Sequence, residues 1–585
     1  MKNTFLLFVL SFVFASCGTT PATMPQGSNA QFDGFKNRFI EAFWELHPQW
    51  AAQKGYHKYD AVINIPNDAG REAKTVFVQA YTDSLTQFKS DELSNANQCD
   101  FFMIQDQLES MKWYQEVYRS WEWNPSSYNL GEGFALIING RYASLDERIS
   151  AMAERLKSVP AYYEAATSNI SNPTLEHTEL GIMRNKGSLD VFNATMIDSV
   201  DASGLADQEK QDLKANIELA KMAISDYITF LENDILPNLN ENTRSFRIGK
   251  DLFAQKFDID IRSSYSAEQV YDFALESKKQ VHSEMLRLTT ELWPKYFEGA
   301  EMPDSMVAIR TMIEKLSLNH VHRDSFQSTI EQQIPELTKF VQEHDLVYLD
   351  PAKPLVVRRE PAYMGGFAGA SISAPGPYDK FADTYYNVGP MDRFNDEQAE
   401  SFLREYNHHV LQILNIHEAI PGHYAQLVYS NLSPSLVKSI FGNGAMVEGW
   451  AVYTERMMLE EGYGDHEPEL WLMYYKWNLR VVCNTILDYS IHVKDWTKEQ
   501  GLDLLTNQAF QQDAEANGKW RRATLSQVQL CSYYTGFKEI YDLRSELKEK
   551  QGNDFNLKAF HEELLSFGSA PVKYVRDLML NKTPT

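Results

Sequence analysis

Cysteine is scarce in this 585-residue chain, with four in all: Cys17, Cys99, Cys483 and Cys531. Once Cys17 is set apart near the start, the other three are odd in number and widely spaced. That excludes a disulfide framework and a cysteine-built metal site. Positive charge is also short. Against 80 Asp and Glu stand only 55 Lys and Arg, a formal net charge of −25. A surface that acidic repels nucleic acid and anionic lipid, so neither is expected as an electrostatic partner. Beyond the first residues, no apolar run approaches the roughly 20 that a membrane-spanning helix needs. There is no G-x-S-x-G elbow. The one glycine-dense stretch, "GGFAGAS", lacks G-x-G-x-x-G spacing and opens no helix, which excludes a nucleotide loop.

What is present begins with "MKNTFLLFVLSFVFASC", one lysine, then an apolar run of secretory-signal length, then small residues before a cysteine. "FAS" before Cys17 resembles the lipobox of bacterial lipoproteins, with Phe14 in place of the usual leucine. On that basis residues 1–16 are expected to be removed and Cys17 lipidated. The alternative is a plain secretory signal cut nearby. Residues 17–30 are polar, with Pro and Gly, and read as a tether. The chain is then expected in the bacterial cell envelope, facing the periplasm or the cell exterior and touching the membrane only through its lipid.

From about Phe32 apolar residues recur at three- and four-residue spacing, as in "FKNRFIEAFWELHPQWAAQKG" and "VYDFALESKKQVHSEMLRLTTELW", which predicts helices. A mostly α fold follows. Residues 31–345 are expected to wall a cleft and residues 346–585 to carry the chemistry. One region differs: between 349 and 390, "PLVVRR", "GASISA" and "DTYYNVG" are β-prone runs among Gly and Pro and predict a small strand-rich insert. Its edge could pair with an extended peptide.

The chemistry concentrates in "NIHEAIPGHYAQ", Asn415 to Gln426. Helical ligands four residues apart converge on one ion, whereas ligands six apart, like His417 and His423, point to different sides. Pro421 and Gly422 stand between them. Proline breaks the helical ladder and glycine permits unusual conformations, so the pair could wind out the two extra residues and return His423 to the face of His417. The alternative is two ordinary histidines beside a kink. A zinc hydrolase needs three protein ligands and an open position. On the next predicted helix, "NGAMVEGWAVYTERMMLEEG", Glu448 and Glu455 share nearly one face. One could bind metal while the other orients a histidine; equally, both could be solvated near the helix start. His408 and His409 read as buried or capping groups.

The pairing of "HEAIPGH" with "EGWAVYTE" resembles the bacterial domain-of-unknown-function 885 (DUF885) family, assigned to the zincin-type metallopeptidase clan. The segments "HPQWAAQKGYHKYD", "LDYSIHVKDWTKEQ", "QLCSYYTGFKEIYDLR" and "FNLKAFHEELLSFGSAPVKYV" are also similar to it. The resemblance implies a large helical zincin-like metallopeptidase fold. His417, His423 and Glu448 would bind one zinc per chain, Glu418 would be the general base, and Glu455 would lie behind a ligand. The same ligands would hold manganese or cobalt. The chain departs from the family pattern in two places: Gln527 and Val528 replace a usual Pro-Gly, and Asp495 replaces a glycine before Trp496.

From the resembling segments, Tyr533 and His492 are the candidate oxyanion donors. Asp488, four residues before His492, would orient its imidazole. Tyr533 is otherwise one packing tyrosine among 30, and Arg544 would either bind a substrate carboxylate or pair within a helix. The expected function is zinc-dependent hydrolysis of short peptides, the size limit being implied by the resembling clan. Two alternatives are a non-catalytic peptide-binding lipoprotein that keeps the fold, and a metal-dependent amidase or esterase. Oligomeric state is not legible in the sequence.

Overall fold

The computed structural model describes residues 29–240, 243–361, 369–379 and 383–581. The signal, Cys17, most of the tether and most of "GGFAGAS" lie outside them. The described residues are mostly helical, 73% helix and 3% strand. Among them no helix is long and apolar enough to cross a membrane, and Cys99, Cys483 and Cys531 are free and buried.

Helices form where the apolar spacing predicts them, with ends set by local chemistry. Ala267–Tyr296 opens with a capping box, Ser266 and Gln269 satisfying each other's backbone N–H groups. Pro468–Val493 has proline in its first turn and buried residues around nearly its whole circumference. A helix apolar on all sides belongs inside. It packs between Ala267–Tyr296, Cys531–Gln551 and His408–Glu418. One hydrophobic cluster runs from Phe32 on the first described helix to Leu580, so early and late segments share it. A second is built from residues between Ile63 and Leu231.

The insert forms the expected small sheet, β1 (Leu355–Arg359), β2 (Ala370–Ser373) and β3 (Thr384–Val388). The order is β1-β3-β2, with β3 parallel to β1 and antiparallel to β2. The buried hydroxyl of Tyr386 on β3 donates to Asn415 Oδ1 at 2.6 Å, so the sheet rests on the helix that ends in His417 and Glu418.

Candidate metal centre

Helix His408–Glu418 starts at Asn407, whose side chain accepts from the N–H groups of His409 and Val410. It stops at Glu418. The chain turns through Ala419 and a cis Ile420–Pro421 bond, and Gly422 N donates back to Ile416 O at 3.0 Å. A Cβ on Gly422 would lie 1.9 Å from His417 O and 2.3 Å from Ile416 O, so only glycine fits this return. A new helix, His423–Leu432, then begins. Trp450 fastens the break from outside, its indole N–H donating to Pro421 O at 2.9 Å.

The two imidazoles are thereby brought together, ring centroids 4.8 Å apart and nearly perpendicular. Glu448 faces both: its Oε2 lies 3.8 Å from His417 Nε2 and 3.5 Å from His423 Nε2. Ligand atoms about 2.1 Å from a tetrahedral ion stand about 3.4 Å from one another, and the two Glu448 approaches, 3.5 and 3.8 Å, are close to that spacing. Glu418 joins the histidines in a second grouping whose ligand atoms lie within 4.8 Å of one another. Glu418 and Glu448 thus both stand within reach of an ion held between the two imidazoles, Glu448 with close approaches to both Nε2 atoms.

Behind the triangle, His417 Nδ1 and Glu455 Oε1 are 2.6 Å apart, and Trp477 Nε1 donates to the same oxygen at 3.0 Å. With Nδ1–H directed at Glu455, the neutral form of His417 would present its Nε2 lone pair on Glu448's side, the tautomer a metal-ligating histidine needs. Burial would lower the His417 pKa, but the Glu455 hydrogen bond and the charges of Glu455, Glu418 and Glu448 overcome it and raise the value to about 9. Burial raises Glu418, with both imidazoles opposing. Glu448 ends below its ordinary value, because His423, His417 and Arg522 outweigh burial. Three enclosed carboxylates around two imidazoles form an acidic excess that a divalent cation would neutralise. The donor set fits zinc, and manganese or cobalt as well.

Helix Gly444–Glu460, which carries Glu448 and Glu455, packs on Cys531–Gln551 through two glycines. A Cβ on Gly449 would lie 2.3 Å from the Gly536 carbonyl carbon, and one on Gly536 1.7 Å from Ala445 O. This close crossing sets Tyr533, one turn before Gly536, beside Glu448, whose charge adds to burial in raising the phenol. Tyr533 therefore remains a proton donor at neutral pH, and its oxygen accepts from Arg522 Nη2 at 2.9 Å.

Other candidate residues stand elsewhere. His492 is 1% exposed, packed on Phe246 and Phe253, with Nε2 donating to Ala523 O at 3.0 Å. Burial lowers it to about 4. Walled in and committed to a carbonyl, it is not placed to donate to an oxyanion. Asp488 does approach His492, at 3.6 Å, but its oxygens accept from Val528 N and Leu530 N at 3.1 Å each. It holds the turn where Gln527 and Val528 adopt positive φ, the turn that leads into the Tyr533 helix. Arg544 is bound to Glu460 at 2.8 Å and approaches Glu461 at 3.8 Å. It pairs between helices and is not free for substrate. His409 is buried and packs at its helix start.

Residues the sequence reading did not single out include Trp450, Trp477 and Arg522. Trp450 lies inside the quoted "EGWAVYTE", so a clamp on the Pro-Gly break had a signal; Arg522 had none.

A family model described as "Bacterial protein of unknown function (DUF885)" matches residues 48–579. The chain belongs to the DUF885 family. Two solved structures designated "putative lipoprotein" share its fold. One, of unknown function from Shewanella oneidensis, is 56% identical, covers 94% of this chain and 99% of its own, and superposes with a TM-score of 0.87. The other, from Colwellia psychrerythraea, is 15% identical, covers 95% of this chain and 99% of its own, with a TM-score of 0.76. No curated protein matches the sequence. The DUF885 match thus supplies a family and the two structures a fold, and neither supplies an activity.

Proposed function

We propose that this DUF885 protein is a zinc-dependent peptidase of zincin-like architecture that hydrolyses short peptides, anchored in the cell envelope by lipid on Cys17. The observation that carries the proposal is the triangle of His417 Nε2, His423 Nε2 and Glu448 Oε2 with Glu418 beside it. Zinc held there would lower the pKa of a water molecule towards neutrality and polarise an adjacent carbonyl.

The chain's own residues do the rest. Glu418 takes a proton from the attacking water and passes it to the leaving nitrogen, so the C–N bond breaks and a neutral amine departs. Tyr533 accepts from Arg522, which leaves its own proton for the carbonyl oxygen as negative charge develops there. Glu455 keeps His417 in the ligand tautomer.

The test is metal content by elemental analysis of protein starting after the tether, followed by hydrolysis of a short-peptide library. Close to one zinc per chain, with hydrolysis lost in Glu418→Gln while zinc is retained, is the expected result. Zinc without cleavage of any peptide would favour the amidase or esterase alternative. No zinc bound at all would sink the hydrolase and leave the peptide-binding lipoprotein.

A further inference from the structure

Arg522 sits on helix Asp513–Ser526 and is exposed. Its Nη2 donates to the Tyr533 hydroxyl at 2.9 Å and to Gln529 Oε1 at 2.8 Å, and its Nε donates to Gln529 Oε1 at 3.1 Å. Both partners are neutral. Among the described residues it forms no ion pair, and Nη1 makes no hydrogen bond. Arg480 is committed to Glu405 and Glu515, and Arg544 and Arg456 to Glu460; the adjacent Arg521 also lacks an ion pair among the described residues but meets Met183 Sδ and not Tyr533. In a chain of net charge −25, an exposed arginine left without an acid beside the metal-ligand carboxylate is a position held open for an anion.

The position defines which anion. Arg522 is hydrogen-bonded to Tyr533, which lies one turn from the Gly536–Gly449 contact next to Glu448, so the guanidinium borders the reacting centre. Three of the five guanidinium N–H donors are used and the two on Nη1 remain, enough for a charge-assisted hydrogen bond to a carboxylate. The path from the reacting carbonyl oxygen through Tyr533 to Arg522 is two hydrogen bonds, about 6 Å. An extended residue advances about 3.5 Å, so the carboxylate of the residue directly after the cleaved bond lies within that reach.

We propose that Arg522 binds the α-carboxylate of the substrate, and that the substrates are peptides with a free C-terminus from which one residue is released. This rests on the hydrolase reading above, with Tyr533 as the oxyanion donor. Nothing covalent is added: water still supplies the hydroxyl to the new acid and the proton to the amine.

The test uses the zinc-loaded protein with an N-benzoylated dipeptide and its C-terminal carboxamide. The free acid should be cleaved about ten- to a hundredfold better in kcat/KM, the range of a charge-assisted pair. In Arg522→Ala that ratio should collapse towards one, chiefly through KM, with partial recovery in Arg522→Lys. Arg544→Ala, remote from this role, should keep the ratio. Acid and amide cleaved equally by the native protein, or an unchanged ratio in Arg522→Ala, would overturn the proposal. Calorimetric titration of the two compounds separates the two levels of inference. If neither is cleaved, release of a single C-terminal residue fails, while the hydrolase reading stands or falls separately on zinc content and the peptide library. Tighter binding of the acid, lost in Arg522→Ala, would still support the carboxylate site, and equal binding would end it.

Discussion

Gly449 and Gly536 touch backbone to backbone, close enough that a Cβ on Gly449 would sit 2.3 Å from the Gly536 carbonyl carbon. That contact is why Glu448, next to Gly449, and Tyr533, one turn from Gly536, share a site although far apart in sequence. Gly536→Ala would put its Cβ 1.7 Å from Ala445 O, backbone that cannot step aside without parting the helices. The expected overpacking cost is about 1–3 kcal/mol, opposing the roughly 1 kcal/mol that alanine gains in helix propensity. Urea unfolding should give a lower midpoint. A variant more stable than the native chain would mean that the helices do not cross this closely.

Gly422 tests the other half of the site. In Gly422→Ala the new Cβ meets His417 O and Ile416 O at 1.9 and 2.3 Å, so the return that starts the second helix cannot form as it stands. His423 should leave the face of His417, and bound zinc should fall well below one per chain. Full zinc occupancy in a folded variant would show that the ligands do not depend on this turn.

Much of this was legible beforehand, for physical reasons. Strands β1, β2 and β3 fall within "PLVVRR", "GASISA" and "DTYYNVG" because β-branched and aromatic runs between breakers leave few alternatives. The return of His423 could be argued because Pro and Gly limit what the backbone can do. His492 misled because helix Pro468–Val493 is buried nearly all round. Its i,i+4 spacing correctly set Asp488 nearby, but periodicity cannot tell which buried side faces a site. Arg544 and Arg522 show the complementary limit. Whether an arginine is free depends on carboxylates from other helices, Glu460 for the first and none among the described residues for the second.

Glu455 supports a prediction about affinity. Its Oε1 is shared by His417 Nδ1 and Trp477 Nε1. Glu455→Gln keeps the shape but removes the charge that favours the ligand tautomer. Zinc affinity should fall about 10- to 100-fold, measured by competition with a chromophoric chelator. Native affinity in the variant would mean that His417 is oriented by something other than Glu455.

His492 supplies the pH test. Burial holds its folded pKa near 4, against an ordinary value of about 6.5. Between those values the unfolded chain binds a proton here and the folded chain does not, so the stability contributed by the neutral ring is present above about pH 6.5. It is lost as pH falls towards 4, with a slope of up to about 1.4 kcal/mol per pH unit. Other groups titrate in the same window, and Asp488 and Glu539, raised by burial to about 7, act in the opposite sense. The informative quantity is therefore a difference. Unfolding free energies of the native chain and of His492→Gln, measured at several pH values from 4 to 7, should converge as pH falls, because only the native chain loses this contribution. Parallel curves would mean that the ring is already charged, or solvated, in the fold. A buried neutral imidazole also predicts that the pH profile of any hydrolysis is unchanged in shape in His492→Gln, whereas a catalytic His492 would remove a limb.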